Sequence, residues 1–252
     1  MYLTRFRINT GRPQARRLLG SPHLLHGAIN MSFPELPSRD GQGPRVLWRT
    51  DPAAGGRTDL FIVSPTRPDL THLVEQAGWP ALEEQGWSTF AYGEFLNALA
   101  VGDIWSFRLT ANPVHNIRKP EDAPRSRTKR AAHVTPAHQI NWLLQRQERA
   151  GFEVLRTPAE RRLTERGHEH EVIVHDRLPL QFRKRNANDA GHQEARGSGK
   201  LMSQPVEFTR VTFDGRLRIT DLDVFRRTLT HGLGKAKAYG CGLMTLAPVR
   251  AS

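Results

Sequence analysis

The chain has 252 residues, enough for one large domain or two smaller ones with a real core. It carries 37 Lys and Arg against 25 Asp and Glu, a formal net charge of +12, and a single cysteine, Cys241. That balance points to a polyanionic partner, and one cysteine excludes an intrachain disulfide and any zinc site built on cysteines. The basic excess is uneven: residues 1–50 hold eight basic side chains and two acidic ones, residues 51–113 three and eight, and residues 114–200 eighteen and eleven. A polarised distribution is the footprint of nucleic-acid binding, although arginine richness also follows from a GC-rich genome. No apolar run is long enough to span a membrane and none reads as a secretory h-region. The expectation is a cytoplasmic chain with no membrane partner.

In chain order, residues 1–9 alternate apolar and basic or polar side chains and predict a half-buried strand. Helices are expected at 14–20 and 21–30, the second opened by Ser21-Pro22, and strands at 46–50 and 60–64. A short helix near 90–99 and a strand over 104–112 complete a βαββαβ unit. Residues 116–130, with six positive charges against two negative, read as a basic linker that contains Lys129 and Arg130. Thr135-Pro136 opens a helix that runs to Ala150 and is closed by Gly151. Strands are expected at 152–156, 171–176, 178–183, 206–213 and 216–220, with Phe213-Asp214-Gly215-Arg216 as a tight hairpin. A helix over 221–233 and a strand over 243–247 end a second, embellished unit. The fold class is α+β, with two tandem ferredoxin-like (βαββαβ) domains, residues 1–115 and 131–252, joined by the linker.

Three features could carry chemistry. The segment between the last helix and the last strand holds Gly232, Gly234, Lys235, Lys237, Gly240 and Gly242. Such a loop can offer bare backbone N–H groups and ammonium heads to phosphates; a plain helix cap and turn is the alternative. His23 and His26 stand three apart on a predicted helix and share a face. Imidazole moves protons near neutral pH. The spacing also suits a metal, yet the HExxH pattern and a second ligand cluster are missing, so surface histidines are the competing reading. Arg183-Lys184-Arg185 end a predicted strand before the polar, Gly- and Asn-rich residues 186–199, which are expected to be mobile. Arg16 and Arg17, on the helix before the histidines, could steer a strand of nucleic acid. The aromatic stacking residues of a standard RNA-recognition motif are not evident, and Trp48 and Phe61 read as core. That favours stem recognition through shape and phosphates.

The strand at 1–9, the histidine helix and the glycine loop before the last strand together resemble the CasE (Cse3) family of CRISPR RNA endoribonucleases of type I-E Cascade. The resemblance covers most of the chain and is sharpest at 1–29, 101–112, 135–155 and 231–248. It implies tandem ferredoxin-like domains and a catalytic base at His26 that takes the proton of a ribose 2′-hydroxyl. The products would be a 2′,3′-cyclic phosphate and a 5′-hydroxyl, with no metal or cofactor. Family members carry a tyrosine where this chain has His23, which implies an orienting or acid role there. The implied substrate is precursor CRISPR RNA cut at its repeat stem-loop. The product hairpin would be retained and other Cascade subunits would be partners. Arg183, Lys184 and Arg185 would enter the stem groove, with Arg16, Arg17, Lys129, Arg130, Gly232, Gly234, Lys235 and Lys237 along the phosphates. The rival reading is a non-catalytic subunit that binds structured RNA. The net charge and the lack of an acidic catalytic pair argue against a small-molecule enzyme.

Overall fold

The computed structural model describes residues 1–37, 43–79, 86–117, 129–162, 168–183 and 205–249. Lys184 and Arg185 lie outside them, as do residues 118–128. The first unit runs β1 (Tyr2–Asn9), α1 (Pro13–Leu19), α2 (Pro22–Asn30), β2 (Leu47–Ala53), β3 (Arg57–Ser64), α3 (Thr71–Ala77) and β4 (Trp87–Ala91). Its strands pair antiparallel in the order β2-β3-β1-β4, which is the ferredoxin-like order. The alternation of β1 does what period 2 requires: Thr4, Phe6 and Ile8 are buried on one face. Phe6, Ile8, Leu60 and Ile62 pack against Leu18, Leu25, Ile29 and Leu73 of the helices. The opposite face is not left to solvent. Leu47 and Val63 belong to a second core that continues into the C-terminal unit.

That unit follows a connecting helix, α4 (Tyr92–Ala98), and contains β5 (Ile104–Ala111), the ribbon β6 (Val114–Ile117) and β7 (Lys129–Ala132), and α5 (Pro136–Gln147). Then come β8 (Phe152–Val154), β9 (Val172–Arg183), β10 (Pro205–Ile219), α6 (Leu222–His231) and β11 (Met244–Pro248). The order β11-β5-β10-β8 repeats the ferredoxin-like arrangement, with β9 pairing the N-terminal part of β10. Phe107, Leu109, Phe213, Phe152 and Phe225 fill its core beside Trp142 and Leu143 of α5. The expected caps hold: Ser21, Thr135 and Asp221 each accept from the backbone N–H three residues on.

Four expectations are corrected. The strand over 104–112 is not the last strand of the first sheet; that edge is Trp87–Ala91, part of which read as helix, and β5 opens the second unit instead. Residues 104–111 thus pair in the second sheet although they precede residue 115. The ends of the supposed linker are paired strands, Val114↔Ala132 to Ile117↔Lys129, so Lys129 and Arg130 sit on a β-ribbon. Gly215 makes no hairpin, because β10 runs straight through it. A Cβ there would meet the Glu171 carbonyl oxygen at 2.4 Å, so the glycine admits the close approach of the neighbouring antiparallel chain rather than a turn. The two strands expected at 171–176 and 178–183 are one strand, irregular near Asp176, where φ is 51°.

Arg49 of β2 ties the units together. Its side chain is 2% exposed and makes a bidentate pair with Asp51 at 2.7 and 2.8 Å. It also donates to the carbonyls of Arg108 on β5 and Leu243 beside β11, and to the Thr245 hydroxyl. A buried charge that loses its partner typically costs about 3–5 kcal/mol. Arg49→Leu should lower unfolding free energy by about that amount in urea titration, and Arg49→Lys should recover only a minor part, because an ammonium lacks the planar fork.

Candidate active site and RNA groove

Helix α2 starts where it does because Ser21 caps it and Pro22 presets the first turn. Leu25, Ala28 and Ile29 bury its inner side, which leaves His26 and Asn30, one turn apart, on a half-buried flank. The Asn30 amide donates to His26 Nε2 at 3.4 Å. His26 and Asn30 line a pocket of about 240 Å³ with Leu36, Pro37, Arg45, Lys237 and neighbouring backbone. His23 stands one turn earlier on α2, half-buried and outside that pocket.

The other wall comes from the glycine loop of the second unit. Its 3-10 turn, Lys237–Tyr239, packs on α2. Lys237 Nζ donates to the His231 carbonyl at 2.7 Å. Burial first, then the charges of Arg45 and Lys235, lower its ammonium to about 8. Gly232 and Gly234 both have positive φ, and internal groups occupy the space a side chain would need. A Cβ would meet Leu47 Cδ2 at 2.8 Å from Gly232 and the Trp142 ring at 3.1 Å from Gly234. These glycines seat the loop on β2 and α5. Arg45 reaches the same place from the start of β2, where its N–H donates to the Thr230 carbonyl.

Lys235 faces elsewhere. With Tyr239 it lines a larger groove, about 830 Å³, bounded by Arg130 of the ribbon, Gln181 of β9 and Glu207 of β10. Tyr239 stacks on Phe208 and meets Phe182 edge-on, which fastens the β9–β10 pair to the loop. Arg183 ends β9 in register with Pro205, at the far end of this groove wall. Of the remaining predicted positions, Arg17 is exposed on α1, while Arg16 donates to the Thr10 and Gly11 carbonyls and holds the β1–α1 turn. Sequence reasoning missed Arg45, Asn30 and Tyr239. Asn30 carried a usable signal, its i+4 spacing from His26; Arg45 carried none. Among the described residues no set of three His, Cys, Asp or Glu side chains is placed to hold a metal ion, and no helix is long and apolar enough to cross a membrane.

Residues 1–248 match the CRISPR associated protein family. The chain is 30% identical over 249 residues to the CRISPR-associated endoribonuclease Cse3 of Thermus thermophilus, covering 98% of this chain and all of that one. Its fold is similar to Thermus thermophilus Cse3 bound to an RNA representing a pre-cleavage complex, with a TM-score of 0.68, 28% identity and 98% of each chain covered. A chain of a CRISPR RNA-guided surveillance complex in a pre-nicking state shares the fold, with a TM-score of 0.61, 22% identity, and 99% of this chain and 100% of that one covered. A histidine pocket closed by two cations, beside a basic groove on a tandem ferredoxin-like frame, thus lies within a full-length sequence match, and the chain belongs to the Cse3 family of CRISPR-associated endoribonucleases.

Proposed function

We propose that this protein cuts precursor CRISPR RNA at the repeat stem-loop by attack of a ribose 2′-hydroxyl on the adjacent phosphate. His26 takes the 2′-hydroxyl proton, the 2′-oxygen bonds to phosphorus, and the 5′-oxygen leaves. The ends are a 2′,3′-cyclic phosphate and a 5′-hydroxyl, and neither metal nor cofactor enters the step. The observation that carries this reading is the shared pocket of His26, Asn30, Arg45 and Lys237: an imidazole whose Nε2 meets the Asn30 amide, next to two cations. Cations aimed at a phosphate that gains charge in the transition state supply the electrostatic part of the catalysis. His23, one turn away, orients the attacking ribose or its leaving partner. The stem lies along the groove of Arg130 and Lys235, and Lys129, Arg183, Lys184, Arg185, Arg16 and Arg17 add further phosphate contacts in this reading. A-form stems suit such a surface, because they are held through phosphates and shape rather than base edges. The product hairpin stays bound, and the complex works in the cytoplasm as a subunit of Cascade, in keeping with the shared fold of the surveillance-complex chain.

Incubation with a repeat hairpin in excess EDTA, followed by identification of the ends, tests the reading. Cyclic phosphate ends are expected; intact but shifted RNA would make the protein a binding subunit alone. His26→Ala should slow single-turnover cleavage by about 10²–10⁴-fold while hairpin affinity stays within a few-fold, since proton transfer adds to rate and not to binding.

The groove yields a separate expectation. Each cation that neutralises a phosphate releases counterions, so Lys235→Ala and Arg130→Ala should each weaken hairpin binding and reduce the slope of log affinity against log salt by about one. Titrations over a range of salt concentrations check this; an unchanged slope would remove the groove from the RNA path.

A further inference from the structure

The two lysines of the glycine loop stand two residues apart, yet they line different cavities. Lys235 is exposed in the wide groove, whereas Lys237 is half-buried in the small pocket with His26. The placement of Lys237 is built rather than incidental. Its Nζ is anchored on the His231 carbonyl at 2.7 Å, which leaves two of its three N–H donors for a ligand. Its stem lies over Gly242, where a Cβ would meet Lys237 Cγ at 3.2 Å, and Gly242 has a φ of 91°. The loop around it is seated on Leu47 and Trp142, so the ammonium is held in place before any substrate arrives.

Among the described residues, the charged or titratable groups set around Lys237 are Arg45 from the start of β2, Lys235 from its own loop, His26 from α2, and His231 at the end of α6. Among the described residues that line the pocket, none is acidic. A lysine near other cations and partly desolvated gives up its proton more readily than a solvated one. Phosphodiester cleavage by a 2′-hydroxyl has a second proton problem beyond the one that His26 addresses. The leaving 5′-oxygen departs as an alkoxide unless something protonates it.

Resting on the reading above, we propose that Lys237 is the general acid of the cleavage step and that Arg45 is the second cation of the site, gripping the non-bridging oxygens of the scissile phosphate. The 2′-oxygen forms its bond to phosphorus as its proton passes to His26 Nε2. The P–O5′ bond breaks with its electron pair going to the 5′-oxygen, which takes a proton from Lys237 Nζ. The enzyme is left with His26 protonated and Lys237 neutral, and exchange with solvent restores both. Arg45 has two effects: it binds the phosphate, and its charge keeps Lys237 acidic enough to donate. An ammonium lowered to about 8 by burial, Arg45 and Lys235 is still mostly protonated at neutral pH.

The test is single-turnover cleavage, with enzyme in excess, of two hairpins: one with the natural 5′-oxygen and one with sulfur replacing it at the scissile bond. Thiolate leaves without protonation, so an enzyme that lacks its acid should be rescued. Lys237→Ala and Lys237→Arg should cut the natural hairpin at least about 10²-fold more slowly than wild type. Both should return to within a few-fold of the wild-type rate on the sulfur hairpin. Lys237→Arg keeps the positive charge but cannot donate at neutral pH, so it separates acid catalysis from phosphate binding and from folding. His26→Ala should stay slow on both hairpins, because the base is still required. In the pH–rate profile of Arg45→Ala, loss of the neighbouring charge should move the alkaline limb to higher pH, an effect that a merely structural role would not produce. Lys237 variants equally slow on both hairpins, or as fast as wild type on the natural one, would overturn the proposal while leaving His26 as base. Wild-type cleavage that leaves no cyclic phosphate would instead overturn the 2′-hydroxyl mechanism itself.

Discussion

The Arg49 guanidinium is the contact on which the rest of this molecule hangs. It belongs to the first sheet, pairs there with Asp51, and donates to two main-chain carbonyls and a hydroxyl of the second unit. Taking an arginine out of water costs several kcal/mol unless its donors are met, and here acceptors from both units meet them. Separating the units would strand that charge and uncover Leu47 and Val63, which lie in the core of the second unit. Relative motion of the two halves is therefore costly. This matters for chemistry because the His26 pocket belongs to neither half: one wall is α2 and the other is the loop after α6.

The glycine loop meets two demands that compete. It must sit tightly against both units: Gly232 makes room for Leu47 of β2 and Gly234 for Trp142 of α5. It must also present cations, and it sends one to each cavity. A rigid seat with divergent side chains is how one short segment can serve a binding groove and a reactive pocket together. The aromatic contacts of Tyr239 with Phe208 and Phe182 extend the same seat to the β9–β10 pair, so the groove wall and the pocket wall share one support.

The net charge of +12 overstates what a nucleic acid meets. Arg12 donates to the Val74 and Gly78 carbonyls at the end of α3, and Arg226 to the Leu96 and Asn97 carbonyls at the end of α4. Guanidinium groups at helix C-termini satisfy carbonyls that the helix leaves open and complement its dipole. Arg108 is held by Asp214, whose carboxylate is in turn shared with His175. These arginines are internal scaffolding, and among the described residues the cations that line the groove and the pocket are Arg130, Lys235, Lys237 and Arg45.

Local signals in the chain were enough to determine local structure. The alternation of β1 and the caps at Ser21, Thr135 and Asp221 each follow from patterns or interactions within a few residues. The fold class was legible for the same reason, since two runs of strands and helices in βαββαβ order have few ways to pack. That His26 lies on a helix flank was legible too. What only the tertiary structure decided is non-local. The apolar alternation of 104–111 is the same whichever sheet receives it, and pairing with β10 and β11 placed it in the second. Gly215 looks like a turn until the chain at Glu171 and Val172 is seen to pair closely alongside it. Arg45 and Lys237, 192 positions apart, meet only because Arg49 and the buried faces of both sheets press the units together. No periodicity within either segment encodes that meeting, because its energy comes from surfaces that exist only once both units have folded.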